Sequence, residues 1–189
     1  MKTEQQYFEE AKPFAQYMDD MTQLKDWSFA IYEKFEVPTE DGFVEALRNA
    51  NVHILTITED RCGDAMLNNP IIRKVAEAAG VEMRAVLRDA DTELIDRHLT
   101  NGGRSIPIYL VLNEEGSVVA KWGPRAPELQ QLVMDGRTQL PAQDDPQFEE
   151  AQKQFYINLR TRYAEDVTLW TYVYESFKAE VLEKVLAKA

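Results

Sequence analysis

The chain has 189 residues, 44% of them apolar, and 33 acidic against 21 basic side chains give a formal net charge of −12. That is enough apolar material for a full core, but a surface this acidic has nothing to neutralise phosphates, which excludes nucleic acid, and an anionic membrane would repel it. No stretch approaches the ~18 apolar residues of a membrane span, and the start MKTEQQYFEEAKPF lacks the apolar run of a signal peptide, so a cytoplasmic protein is expected.

From the N-terminus, Tyr7, Ala11, Phe14, Met18, Met21 and Leu24 recur at fours and threes, one face of a helix within residues 3–36. Pro13 should kink or divide it. Val37-Pro38 ends that region, and Thr39 is placed to cap a further helix to about Asn49. The middle alternates strands and helices. Residues 51–58 (NVHILTIT) read as the first core strand, residues 65–79 as a helix stopped by Gly80, and residues 81–87 (VEMRAVL) as a second strand. Asp91 suits the N-cap of a short helix over 92–99. After the irregular Asn101-Gly102-Gly103-Arg104-Ser105, Pro107 opens a strand over 108–112. The turn Asn113-Glu114-Glu115-Gly116 returns a strand over 117–122, antiparallel to it. Strands separated by helices pair in parallel, so the fold class is α/β, a mixed sheet with helices on both faces.

The C-terminal flank opens at Asp145, a good N-cap, with Pro146 at the first helical position. Tyr156, Leu159, Tyr163, Val167, Trp170, Tyr174, Phe177, Val181 and Val185 then form an unbroken stripe at threes and fours, overriding the β-propensity of VTLWTYVY. One helix over this span would be roughly 60 Å long, twice the breadth of a small domain, so it must bend, break or project. Both flanks are expected to pack on the core; a homodimer through the C-terminal helix is the alternative. The resulting division is an N-terminal helical extension (1–44), an α/β domain (45–136), and a linker with the long C-terminal helix (137–189).

The chemistry centres on the single cysteine. Alone, Cys62 cannot close an intramolecular disulfide, which fits a reducing compartment. It lies between a strand and a helix in Glu59-Asp60-Arg61-Cys62-Gly63-Asp64-Ala65, where unpaired N–H groups and the helix dipole favour a thiolate. Arg61 adds to that effect if it points the same way, and Asp64 opposes it. Such a cysteine is either a small buried hydrophobe or a nucleophile. Asp64 is either a proton carrier beside Cys62 or a carboxylate that suits a first helical turn. Arg104 is placed to meet a substrate carboxylate, Asp64 or an ordinary surface partner. His53 and His98 show no ligand spacing, and one cysteine with two distant histidines leaves no protein zinc site. No metal or other cofactor is expected. The Gly102-Gly103 stretch lacks the rest of a phosphate loop, and no Gly-x-Ser-x-Gly is present.

Cys62-Gly63-Asp64-Ala65 resembles the thioredoxin active-site Cys-Gly-Pro-Cys, with Asp64 for the proline and Ala65 for the second cysteine. Pro70 stands eight residues on, where thioredoxins carry the proline that kinks the active-site helix. Arg104-Ser105-Ile106-Pro107, a strand and Asn113-Glu114-Glu115-Gly116 are similar to the family's Arg-Gly-Ile-Pro-Thr, strand, Asn-Gly; Trp122-Gly123 falls at its substrate-groove loop. The resemblance covers about residues 51–136. The phrase also resembles a bacterial group of thioredoxin-like proteins with Cys-Gly-Asp and Gly-Gly-Arg-Ser-Ile-Pro and similar helical flanks. It implies a thioredoxin-like fold, a cis Ile106–Pro107 bond, and a groove shaped by Arg61, Arg104, Ile106, Pro107, Trp122 and Gly123. Cys62 would be the nucleophile and Asp64 the proton carrier. Its implied partners are protein or small-molecule thiols and disulfides. Ala65 removes the resolving thiol, and Thr56 stands where the family places a buried aspartate. The implied activity is therefore monothiol exchange finished by an external thiol, with a redox-inactive binding or scaffold protein as the alternative.

Overall fold

The computed structural model describes residues 1–187. The strands are β1 (Lys12–Pro13), β2 (His53–Thr58), β3 (Met83–Leu87), β4 (Ile108–Leu112) and β5 (Val118–Trp122), in the order β1-β3-β2-β4-β5. β2 and β3 run parallel, as their helical crossover requires; the other pairs are antiparallel. The two central strands alternate between two cores. On one side of the sheet Ile54, Tyr109 and Val111 pack into the larger cluster. On the other, Leu55, Ile57, Ile108, Leu110 and Leu112 form the smaller one.

Helices cover both faces. α1 (Glu4–Glu10) and α6 (Thr92–Asp96) supply Tyr7, Phe8, Leu94 and Ile95 to the smaller core. Asp91 caps α6 through the Glu93 N–H, and His53 and His98 bond to Gln5 and Glu4 near α1. The larger core takes in α2 (Phe14–Asp19), α3 (Lys25–Lys34), α4 (Phe43–Arg48), α5 (Gly63–Ala79), α7 (Pro127–Thr138), α8 (Phe148–Glu165) and α9 (Val167–Val181). A short π-helical turn, Leu182–Leu186, follows α9.

The N-terminal segment is divided twice, at Ala11–Pro13 and again before Leu24, which adopts a left-handed conformation with φ 56°. At the first break the chain pairs as β1 with β3, so this segment supplies a sheet edge as well as helices. Helix α4 starts at Phe43 rather than after Thr39. There Gly42 is left-handed and the Asp41 carboxylate accepts the Phe43 N–H.

The C-terminal stripe does not form one long helix. The break falls at Asp166, whose extended backbone ends α8 while its carboxylate accepts the Thr168 N–H and caps α9. Asp145 sits one turn outside α8, accepting the Gln147 N–H. Trp170, Val173, Tyr174, Phe177 and Val181 are all buried in the chain's own core. Tyr174 and Lys178 both bond to Asp41, fixing α9 against the start of α4.

Within α5, Pro70 has no N–H to give the carbonyl four residues back, that of Met66. The hydroxyl of fully buried Ser28 on α3 donates to that carbonyl at 3.1 Å, so the gap left by the proline becomes a tie between α3 and α5. Ser28→Ala should therefore cost about 1–3 kcal/mol in urea unfolding, because it strands a buried carbonyl. In a Pro70→Ala background the restored N–H serves Met66, and the same substitution should cost less than about 1 kcal/mol; equal costs in both backgrounds would contradict this role.

Candidate functional site

Cys62 is the N-cap of α5, held between the end of β2 and the helix's first turn. The preceding loop is anchored by Asp60, whose Oδ2 accepts the N–H of Thr22, the N–H of Gln23 and the Thr22 hydroxyl. The Ile106–Pro107 bond is cis, and the Cys62 thiol donates to the Ile106 carbonyl at 3.5 Å. Gly123 closes against the same segment, with φ +116°; a Cβ there would lie 2.3 Å from the Pro107 carbonyl oxygen. Cys62, Ile106, Pro107 and Gly123 are thus brought together.

The remaining candidates go elsewhere. Arg61 turns to Asp89 and Glu59 rather than to the thiol. Arg104, of its three candidate partners, takes the ordinary surface one: it is exposed and gives both its bonds to Asp96, at 2.6 and 2.9 Å. Trp122 is buried beneath α9, its indole N–H on the Ser176 hydroxyl and its ring between Tyr109 and Phe177. Ile106 and Pro107 are buried as well. Thr56 is fully buried, and its hydroxyl has no partner among the described residues.

Asp64 is the hub. Its Oδ1 accepts from Arg125 Nε at 3.0 Å and from the Tyr163 hydroxyl at 3.0 Å, and its Oδ2 pairs with Arg125 Nη2 at 2.8 Å. Arg125 also donates to Gln130 at 2.8 Å. The acid and the arginine are largely buried, with 13% and 17% of their side chains exposed. A two-pronged pair with a further donor is the arrangement that lets a charge persist out of water. It joins the first turn of α5, the loop after β5 and helix α8. The stem of Arg160, also on α8, lies 3.5 Å from where a Gly63 side chain would begin, so α8 crosses the helix start.

Arg125, Tyr163 and Arg160 are the site residues that sequence reasoning missed. Tyr163 belongs to the apolar stripe, which signals core. Arg125 had only its place two residues after Gly123 to mark it.

The thiol's environment follows. Burial, and then the Asp64 carboxylate, push the Cys62 thiol up to about 11. The N–H groups of Ala65 and Asp64 and the charge of Arg125 pull the other way and are outweighed. The two largest effects thus favour the protonated thiol, the form that donates to the Ile106 carbonyl.

A mixed sheet with a cysteine at the β2–α5 junction, against a cis-proline segment, defines a thioredoxin-like domain carrying one cysteine. The chain belongs to the thioredoxin family, whose model, described as Thioredoxin, matches residues 11–143. Two solved structures are similar in fold. One is a protein of unknown function from Pseudomonas aeruginosa, 19% identical, TM-score 0.60, covering 95% of this chain and 99% of that one. The other is an HIV epitope-scaffold, 18% identical, TM-score 0.64, covering 100% and 99%. No curated protein matches.

Asp64→Asn removes the carboxylate's charge while keeping an acceptor for Arg125 and Tyr163. The pH midpoint of Cys62 alkylation in the native protein should then move down from about 11. Arg125→Gln should move it up. An unchanged midpoint in both variants would show that Asp64 does not act on the thiol.

Proposed function

We propose that the protein is a thioredoxin-fold binding protein whose cysteine is structural in the resting state, rather than a monothiol oxidoreductase. The observation that carries this reading is the setting of Cys62: its thiol donates to the Ile106 carbonyl at 3.5 Å beside the Asp64 carboxylate, and burial and that charge both push its pKa up. Exchange begins with attack by a thiolate, and at neutral pH this environment supplies very little. With Ala65 at the resolving position, a mixed disulfide would have no internal route to release. Asp64 fits a structural part, because its oxygens are committed to Arg125 and Tyr163.

Monothiol exchange is the second reading. The placement of Cys62 favours it, since the N–H groups of Asp64 and Ala65 stabilise a negative sulfur and the cis-proline segment adjoins it.

The rate of reaction with a small aromatic disulfide at pH 7 separates the two. The binding reading predicts a native rate about 10-fold or more below that of the urea-unfolded chain, the ~100-fold drop in thiolate fraction being partly offset by the greater nucleophilicity of a higher-pKa thiolate. A native rate equal to or above the unfolded one would overturn it in favour of exchange.

A further inference from the structure

The break between α8 and α9 makes a cavity that the Cys62 site does not use. It has a volume of about 590 Å³ and lies between the end of α3 and the α8–α9 elbow. That is within the size range of small-molecule sites. Three buried rings, Phe35, Trp170 and Tyr174, line its floor, while Val167, 61% exposed, and Pro38 stand at its lip. The polar ends of the floor are already satisfied: the Trp170 indole N–H donates to the Tyr163 carbonyl, and the Tyr174 hydroxyl to Asp41. The floor therefore offers an occupant apolar and π surface only.

The rim carries charge. Glu36, Glu165 and Glu175 border the cavity, as does Lys34. Among the described residues Glu36 and Glu165 form no ion pair, and Glu175 pairs with Lys178 at 2.9 Å. Lys34 lies in the last turn of α3, where its charge faces that helix's carbonyl end. Lys178 already lies over the Tyr174 ring, 5.5 Å from its centroid, and Lys74 donates to the Phe35 carbonyl. Glu36 and Glu165 still outnumber Lys34 on the rim, and the Trp170 and Phe35 rings remain for cation–π contact with an ammonium or guanidinium group on an apolar body.

We propose that this cavity is a binding site for a small organic cation with an apolar or aromatic body. This deepens the reading of the chain as a binding protein and rests on it. Neither Cys62 nor the Asp64 cluster takes part.

The test is an amide NMR titration of the full chain with phenethylammonium and, separately, phenylacetate, which share a ring and differ in charge. Phenethylammonium should give saturable shifts centred on Phe35, residues 165–171 and Tyr174, with affinity at least about fivefold above phenylacetate. The double variant Glu36→Lys, Glu165→Lys, on exposed positions, should reverse that preference while leaving the spectrum of the sheet unchanged. Equal or better binding of phenylacetate to the unaltered chain, or no saturable shift up to about 20 mM, would overturn the proposal. Read beside the disulfide rate of the unaltered chain, the titration keeps the two readings separable. A reactive thiol beside an occupied cavity defeats the inert-thiol premise alone, and an inert thiol beside an empty cavity defeats this site alone.

Discussion

The carboxylate of Asp64 is the point on which the thiol site and the C-terminal helices both depend. A charged acid in the first turn of α5 suits the helix, but 13% exposure would be costly without compensation. Arg125 and Tyr163 supply it, each from a different part of the chain. The same three side chains hold α8 across the helix start, and among them the Asp64 carboxylate raises the thiol's pKa while the Arg125 charge partly offsets it. In the Cys-Gly-Pro-Cys pattern that this motif resembles, the corresponding residue is a proline and carries no charge. The substitution therefore changes both packing and chemistry.

A second consequence concerns the helical flanks. They are woven into the domain rather than attached to it. β1 adds a strand to the sheet edge, Ser28 serves the carbonyl freed by Pro70, and α9 closes the larger core over Trp122. The elbow at Asp166 lets the C-terminal stripe fold back on that core, and it leaves the aromatic cavity beside α3.

Much of this was legible in the sequence. Period-two and period-three-to-four patterns located the strands and helices of the α/β core, and Gly80 and Asp91 marked a helix end and a helix start through local chemistry alone. The placement of Cys62 at the head of a helix needed only the order of elements. What the pattern did not carry was partnership over long sequence distances. Asp64 meets Tyr163 across 99 positions, and Tyr163 looks like any other member of an apolar stripe. Arg61 stands next to Cys62 in sequence, yet Asp89 and Glu59 draw it aside. The neighbouring Gly123 points Trp122 towards a groove, although alternation along β5 sends its ring into the core. The β1 strand is two residues long, too short for any periodicity to reveal.

The central claim is that partial burial and the Asp64 carboxylate keep Cys62 a protonated thiol at neutral pH. Its most direct test is the ¹³Cβ chemical shift of Cys62 followed against pH in the native protein. The account predicts a single titration with a midpoint near 11 and a sulfur that stays neutral throughout the physiological range. A midpoint at or below about 7.5 would place a thiolate at the head of α5 and contradict it.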